Sequence, residues 1–132
     1  MKACLEVLEV ATYGPLKLHR VTELVRKAVE RCGVRNGVTR IDVAGATPAL
    51  LLVDPADEDA VLRAITKLVP ITGWRHGNAY AHLVSTVVTT SLHLAIENRS
   101  LVIPRGYEIY LLETRPVHNH RRKLAIEIVG EP

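Results

Sequence analysis

The spacing of the apolar residues is the feature that most constrains this chain of 132 residues. Two segments place apolar side chains at helical spacing, whereas the others show strand-like runs bounded by turn residues. From Val21 to Cys32, apolar residues recur at i, i+3, i+4, i+7, i+8 and i+11. This spacing predicts an amphipathic helix, with Thr22 as its N-cap and Gly33 as its left-handed C-terminal residue.

A second helix is predicted to begin at Asp54-Pro55, where an N-cap acid is followed by proline at the first helical position. Acidic residues follow in the first turn, where the helix dipole favours negative charge. Pro70 is expected to end this helix, since proline cannot continue the hydrogen-bond ladder. Its predicted buried residues are Val61, Leu62, Ile65, Leu68 and Val69.

Nine segments have strand-like patterns, and five of them follow residue 82. They comprise residues 2–12, 16–18, 38–44, 49–53, 83–88, 92–96, 101–103, 107–113 and 122–129. We expect the segment 16–18 to pair back on the first strand and residues 97–100 to form a hairpin turn. The order of elements predicts a single domain over residues 1–132, with an α+β fold: a mostly antiparallel β-sandwich with two main helices.

Composition narrows the class of protein. Hydrophobic residues make up 48% of the chain and charged residues 23%, which excludes a disordered chain. The apolar runs are shorter than the ~20 residues of a membrane-spanning helix, and no signal peptide is evident, so we expect a cytoplasmic protein without a membrane partner. A net charge of +3 is compatible with an anionic ligand but is a weak argument for nucleic acid.

Cys4 and Cys32 are the only cysteines, and their spacing indicates neither a disulfide framework nor a structural zinc site. Cys32 is expected in the core, on the apolar side of the first helix. Glutamine is absent, which is a weak sign of a thermophilic source. The many aliphatic strands leave edges to protect, and burial between subunits is one solution, so we expect a homo-oligomer.

The stretch WRHGNAYAH, residues 74–82, brings two histidines close together in the sequence. If the chain is extended after Gly77, His76 and His82 project from the same face but lie roughly 20 Å apart. They can then share a metal ion only if the Gly77-Asn78 step bends the chain. Structural histidines, a site for an anionic substrate, and a metal site completed by a third ligand all remain open.

Two further groups of polar residues are candidates for ligand binding. Hydroxyl groups of Ser85, Thr86 and residues 89–91 follow His82 and can line a polar pocket, with Thr47 as another wall residue. Arg121 lies in a basic run, residues 118–123, which is either a solvated face or an anion-binding patch joined by Arg75 and Arg105.

These residues together resemble the YjbQ family. The resemblance rests on Gly77-Asn78-Ala79-Tyr80-Ala81-His82, Ser85-Thr86, Ser91-Leu92, Glu97-Asn98, Leu101-Val102 and Ile109-Tyr110-Leu111 with Glu113. It implies an α+β sandwich that assembles as a homotrimer. It also implies a weak secondary thiamine-phosphate synthase activity, which joins hydroxymethylpyrimidine diphosphate to thiazole phosphate and releases pyrophosphate.

The resemblance assigns catalytic positions to His76, His82 and Glu113, and a polar position in the pocket to Asn78. A divalent metal such as Mg²⁺ would help to neutralise the leaving pyrophosphate. The chain also departs from the family pattern: Gly45 replaces a histidine, Tyr80 an acid and Val84 a lysine. These departures favour the alternative function, a non-catalytic binding or assembly protein on the same scaffold.

Overall fold

A computed structural model describes all 132 residues. The chain forms eight strands and three α-helices. The strands are β1 Lys2–Thr12, β2 Lys17–Arg20, β3 Asn36–Val43, β4 Ala49–Val53, β5 Ser91–Glu97, β6 Ser100–Leu101, β7 Glu108–Glu113 and β8 His120–Glu131. The helices are α1 Thr22–Cys32, α2 Glu58–Leu68 and α3 Ala79–Val88, and α2 follows a single 3₁₀ turn, Pro55–Asp57.

The strands form two antiparallel sheets, as the sequence predicts. The large sheet has the order β1-β8-β3-β5-β6, and the small sheet has the order β2-β7-β4. Strand β8 is paired along both edges, with β1 on one side and β3 on the other. The result is an α+β sandwich in which the chain crosses between the sheets six times. Loops make four of these crossings, β1–β2, β3–β4, β6–β7 and β7–β8, and the helical segments after β2 and β4 make the other two.

The main core lies between the two sheets and α1. Strand β8 contributes alternate residues to it, beginning with Leu124, because successive strand side chains point to opposite faces. The small sheet is buried on both faces. Leu50 and Leu111 face the main core, whereas Ala49 and Leu112 face a second core formed with α2 and α3.

The outer face of the large sheet has no element packed on it. The strand register places Ala3, Val129, Val38 and Ala95 side by side across four strands on this face. Leu5 and Val7 are 64% and 57% exposed on the same side. We call Ala3, Val129, Val38 and Ala95 the outer apolar row, with Leu5 and Val7 as its neighbours.

Helix α3 corrects one prediction, since residues 83–88 were expected to form a strand. The mainly apolar segment from Leu83 to Val88 is compatible with either structure, and its β-branched residues favour a strand. In the fold, Asn78 is the N-cap residue, and Tyr80, Ala81 and Val84 pack into the second core at helical spacing. Burial of that face therefore makes the segment a helix rather than a strand.

Three other local predictions are wrong. Leu68, predicted to be buried in α2, is 67% exposed. The strand after Gly14-Pro15 is Lys17–Arg20, and it pairs with β7 rather than with β1. The N-cap residue of α1 is Val21, and Thr22 is the first helical residue. Instead of capping the helix, the Thr22 hydroxyl accepts a hydrogen bond from the Ile109 N–H at 2.8 Å, which joins α1 to β7.

The cysteines also differ from expectation, because Cys4 and Cys32 form a disulfide with a Cα–Cα distance of 6.0 Å. The bond joins β1 to the last residue of α1. Arg31, the preceding residue, forms an ion pair with Glu6 on the same strand. The predicted core position of Cys32 is confirmed, since the residue is 3% exposed.

Other predictions are confirmed. Gly33 has φ 75° at the end of α1, and the Asp54 carboxylate accepts a hydrogen bond from the Ala56 N–H before α2. Strands β5 and β6 form the predicted hairpin. No helix has the length and apolar composition that crossing a membrane requires.

Candidate functional site

A polar pocket of about 400 Å³ lies between α3 and the β3–β4 loop. It is open to solvent on one side. Its lining residues are Ala46, His82, Ser85, Thr86, Thr89 and Thr90. Five of these six side chains carry a hydrogen-bonding group, and His82 is the only titratable one. We call this cavity the α3 pocket.

The helical period explains how the pocket forms. His82, Ser85, Thr86 and Thr89 are spaced i, i+3, i+4 and i+7, so they share one face of α3. The opposite face carries the residues packed in the second core. The expected hydroxyl cluster beside His82 is therefore present, but a helix rather than a strand assembles it.

Thr89 ends α3 with an unusual backbone conformation. Its φ and ψ are 84° and 162°, a region that glycine adopts but that costs a β-branched residue about 1–3 kcal/mol. Neighbouring groups hold it there. Its N–H donates to the Ser85 carbonyl at 3.0 Å, and its carbonyl accepts from the Leu50 N–H at 3.1 Å. Such strain is typical of functional sites, and here it lies in the pocket wall.

Glu113 lies outside this pocket, in a buried hydrogen-bond network. Its carboxylate is fully buried and forms a bidentate pair with Arg122: Nε donates to Oε1 at 2.8 Å and Nη2 to Oε2 at 2.7 Å. The Thr12 hydroxyl donates to Oε1 at 2.7 Å, and the Arg115 N–H donates to Oε2 at 3.3 Å. Four donors thus compensate one buried charge.

Burial acts to raise the pKa of Glu113, but these hydrogen bonds outweigh it and hold the pKa below its usual value. Glu113 is therefore ionised at neutral pH and fully engaged. A general acid or base needs a proton that it can exchange near the working pH. The predicted catalytic role of Glu113 stays a prediction, and its geometry is that of a group that positions Arg122.

Thr47 and Tyr80 belong to the surroundings of this network. The Thr47 hydroxyl accepts from Arg122 Nη2 at 2.9 Å, and its carbonyl accepts from the Thr114 hydroxyl at 2.6 Å. Tyr80 donates its hydroxyl to the Thr114 carbonyl at 2.8 Å, and burial raises the pKa of its phenol. Thr47 therefore lies behind the pocket wall, whereas its neighbour Ala46 lines the pocket.

The other predicted residues lie outside the α3 pocket. Arg75, His76 and Asn78 are exposed in the segment that precedes α3. Arg105 is exposed in the turn before β7, and Arg121 is exposed at the start of β8. None of these five residues lines the pocket, so the structure brings together His82 and the predicted hydroxyl residues Ser85, Thr86, Thr89 and Thr90.

The metal-binding hypothesis gains no geometric support within the chain. The structure contains no group of three or more His, Cys, Asp or Glu residues placed to hold a metal ion. His82 lines the pocket while His76 does not, so the two histidines do not form a pair of ligands there. Any Mg²⁺ would have to be bound largely by the phosphate groups of a ligand.

Sequence reasoning missed the partner of Glu113. In the sequence, Arg122 stands first in an alternating series with Leu124, Ile126 and Ile128, which places all four on one face of a strand. That alternation carried the signal, because an arginine in register with three core residues must be buried and needs a partner. The three aliphatic residues are at most 2% exposed and Arg122 is 8% exposed.

The fold and the α3 pocket define an α+β sandwich with a polar ligand-sized cavity between one helix and a loop joining the sheets. A family model described as "UPF0047 protein YjbQ-like" matches residues 6–131. This protein therefore belongs to the YjbQ-like family. Tyr80 and Val84, two of the positions named above as departures from the family pattern, are both buried in the second core.

Individual relatives agree with this assignment. The UPF0047 protein YugU of Bacillus subtilis is 24% identical over 116 residues, which is 83% of this chain and 88% of YugU. A crystal structure of a YbjQ-like protein of unknown function from Sulfolobus solfataricus superposes with a TM-score of 0.91 at 27% identity, covering 98% of this chain and 99% of that one. A Clostridium acetobutylicum member superposes with a TM-score of 0.86 at 25% identity, covering 94% and 99%.

Proposed function

We propose that this protein binds a small phosphorylated ligand in the α3 pocket. The observation that carries the proposal is the strained Thr89, which lies among four other polar lining residues on and beside one face of α3. The hydroxyls of Ser85 and Thr90 donate to no protein acceptor and are not enclosed, so both are free to bind a ligand. Hydroxyl and imidazole groups are suited to the oxygen atoms of such a molecule.

Binding fits this pocket better than proton-transfer chemistry. His82 is its one titratable group, and Glu113 is committed to Arg122. A thiamine-phosphate synthase reaction also needs cations beside the leaving pyrophosphate. Arg75, Arg105 and Arg121 supply none to the pocket of a single chain, so such an activity would require Mg²⁺ or a neighbouring subunit.

A thermal-shift screen tests the proposal. Thiamine monophosphate, pyrophosphate and inorganic phosphate, each with and without Mg²⁺, are added to the purified protein. A ligand of the folded state raises Tm by mass action, by the equivalent of about 2.7 kcal/mol at a hundredfold excess over Kd. We expect a phosphorylated compound to raise Tm, and we expect His82→Ala to remove most of that shift.

Two variants sharpen this test. Thr89→Gly should leave the Tm of the ligand-free protein unchanged or higher, because glycine adopts the backbone conformation without strain, yet it should weaken binding. His93→Ala removes an exposed histidine on β5, outside the pocket, and should bind like the original protein. Absence of any Tm shift, or equal losses in the His82 and His93 variants, would contradict the proposal.

A second candidate function is assembly, and the outer apolar row favours it. Val38 and Val129 are 50% and 37% exposed in a row of apolar residues that crosses four strands without a charge. A contiguous apolar surface of this kind is typical of an interface. We propose that this face contributes to the homotrimer that the family resemblance implies, which would place another subunit against the sheet.

Light scattering with size-exclusion chromatography tests the assembly. We expect a mass three times that of the 14.6 kDa chain. Val38→Lys should shift the protein to monomers, because it places a charge in the middle of the apolar row. Val102→Lys is the matched control, since Val102 is 42% exposed on the loop after β6. A monomeric original protein, or a trimer that tolerates Val38→Lys, would argue against this surface.

A further inference from the structure

Arg122 has one guanidinium nitrogen that the protein leaves unused. Nε and Nη2 are bonded to Glu113 and Thr47, but Nη1 donates to no acceptor in the protein. Nη1 is not among the enclosed side-chain atoms that lack a hydrogen-bond partner, so it remains accessible to solvent. The side chain as a whole is 9% exposed. Arg122 is thus a nearly buried cation, fixed by its partners, with one free donor.

The β3–β4 loop adds further free donors beside it. The N–H groups of Gly45, Ala46 and Thr47 donate to no backbone acceptor, and no side chain of the protein accepts from them. Gly45 has φ 118°, a conformation suited to glycine. Successive backbone N–H groups around such a residue are a common way of binding an anion.

Gly45 also controls access to the arginine. A Cβ atom built on Gly45 would lie 3.1 Å from Arg122 Nη1 and 3.2 Å from Pro48 Cδ. Both distances are tighter than ordinary van der Waals contact, so even an alanine side chain would crowd the free nitrogen. The absence of a side chain therefore keeps Nη1 open.

We propose that Arg122 Nη1 and the N–H groups of Gly45, Ala46 and Thr47 form an oxyanion site for the phosphate of the ligand. The inference rests on the proposed function, since Ala46 lines the α3 pocket and the loop is the wall that the two sites share. It also supplies a charged hydrogen-bond donor, which the hydroxyl groups of the pocket do not, while Glu113 balances the net charge of the guanidinium. Arginine binds phosphate through directed hydrogen bonds, and prior fixation by Glu113 reduces the entropy lost on binding.

Glu113 does not cancel this role of Arg122. Each carboxylate oxygen accepts two hydrogen bonds, one from Arg122 and one from Thr12 or the Arg115 backbone. The negative charge is therefore held on the far side of the guanidinium by directed bonds, away from Nη1. The site recognises a phosphate or phosphate monoester by hydrogen bonding, and the pocket residues then contact the rest of the ligand.

Amide chemical shifts of the ¹⁵N-labelled protein, titrated with inorganic phosphate at constant ionic strength, test the site. We expect saturable shifts of Gly45, Ala46 and Thr47. Gly45→Ala and Arg122→Lys should each weaken phosphate binding at least about tenfold, because each removes or blocks a charge-assisted hydrogen bond. Arg121→Ala removes an exposed arginine from the outer face of the same strand and should bind phosphate as the original protein does.

The outcomes separate this inference from the proposed function. Shifts in the loop amides that disappear in Gly45→Ala would support the oxyanion site. If no pocket residue shifts at the same time, that result would count against the α3 pocket. Shifts confined to Ser85, Thr86, Thr89 and Thr90 would overturn the site and leave the pocket. Equal weakening by Arg121→Ala would overturn it as a mere effect of net charge, and no response to phosphate would overturn both. If Arg122→Lys fails to fold, Gly45→Ala carries the test. Well-dispersed amide signals in the spectrum of Gly45→Ala would show that this variant is folded.

Discussion

Arg122→Met is expected to lower the free energy of unfolding by about 3–5 kcal/mol, because it leaves the Glu113 carboxylate buried without its main partner. Arg122 supplies two of the four hydrogen bonds that this carboxylate accepts. Urea unfolding monitored by circular dichroism measures the change. Arg121→Met is the matched control, since Arg121 is exposed on the neighbouring position of β8 and should change stability by at most about 0.5 kcal/mol.

The double variant Glu113→Met with Arg122→Met separates pairing from packing. Removing both charges avoids an unpaired buried ion, so the double variant should be clearly more stable than the sum of the two single losses predicts. Simple additivity would mean that the pair contributes no coupling. A loss below about 1 kcal/mol for Arg122→Met would show that the carboxylate finds another partner or takes up a proton at little cost.

The same pair predicts how stability depends on pH. The pKa of Glu113 is lower in the folded protein than its usual value of 4.5. Its contribution is therefore complete above that value, decreases as the pH falls below it, and is lost once the pH falls through the folded pKa. The Arg122→Met variant should lose less stability than the original protein over this acidic range.

Reduction of the Cys4–Cys32 disulfide is the second large effect expected. The bond closes a loop with a sequence separation of 28 residues, for which loop-closure entropy gives a stabilisation of roughly 3–4 kcal/mol. Urea unfolding with and without a phosphine reductant should show this difference as a lower midpoint. The bond joins the edge strand β1 to α1, so its loss frees both elements in the unfolded chain.

Cys4→Ala provides the control for this experiment. The variant cannot form the bond, so its unfolding midpoint should not respond to reductant and should lie near that of the reduced original protein. Thiol titration of the unfolded original protein before reduction should detect no free cysteine. Two free thiols in that titration, or a midpoint that reductant leaves unchanged, would contradict the disulfide.

The sequence predicted most of the fold because most elements bury only one face. The helical spacing from Val21 to Cys32 and the alternation in β8 both follow from that condition. Residues 83–88 failed the same test because their apolar residues form two adjacent pairs around Ser85 and Thr86, in a segment too short to define a period. Burial of Tyr80 and Ala81 against the small sheet determines the helix, and that contact is tertiary.

The candidate site was less accessible to prediction. His82, Ser85 and Thr86 were grouped correctly because they are close in sequence, and a helix keeps such residues together. Glu113 ends β7 and Arg122 lies near the start of β8. These strands belong to different sheets, so the contact between the two side chains depends on how the sheets stack. Likewise, no spacing rule pairs two cysteines that lie 28 residues apart on different elements.

The position of the Glu113–Arg122 pair gives the sandwich a stiff end. Two stacked sheets can slide past one another unless side chains link the connections between them. Thr12 ends β1, Thr47 lies between β3 and β4, and Glu113 ends β7, so one guanidinium and one carboxylate link three of the six crossings between the sheets. Shear between the sheets should then be confined to the opposite end, and the α3 pocket lies beside the part of the molecule least able to move.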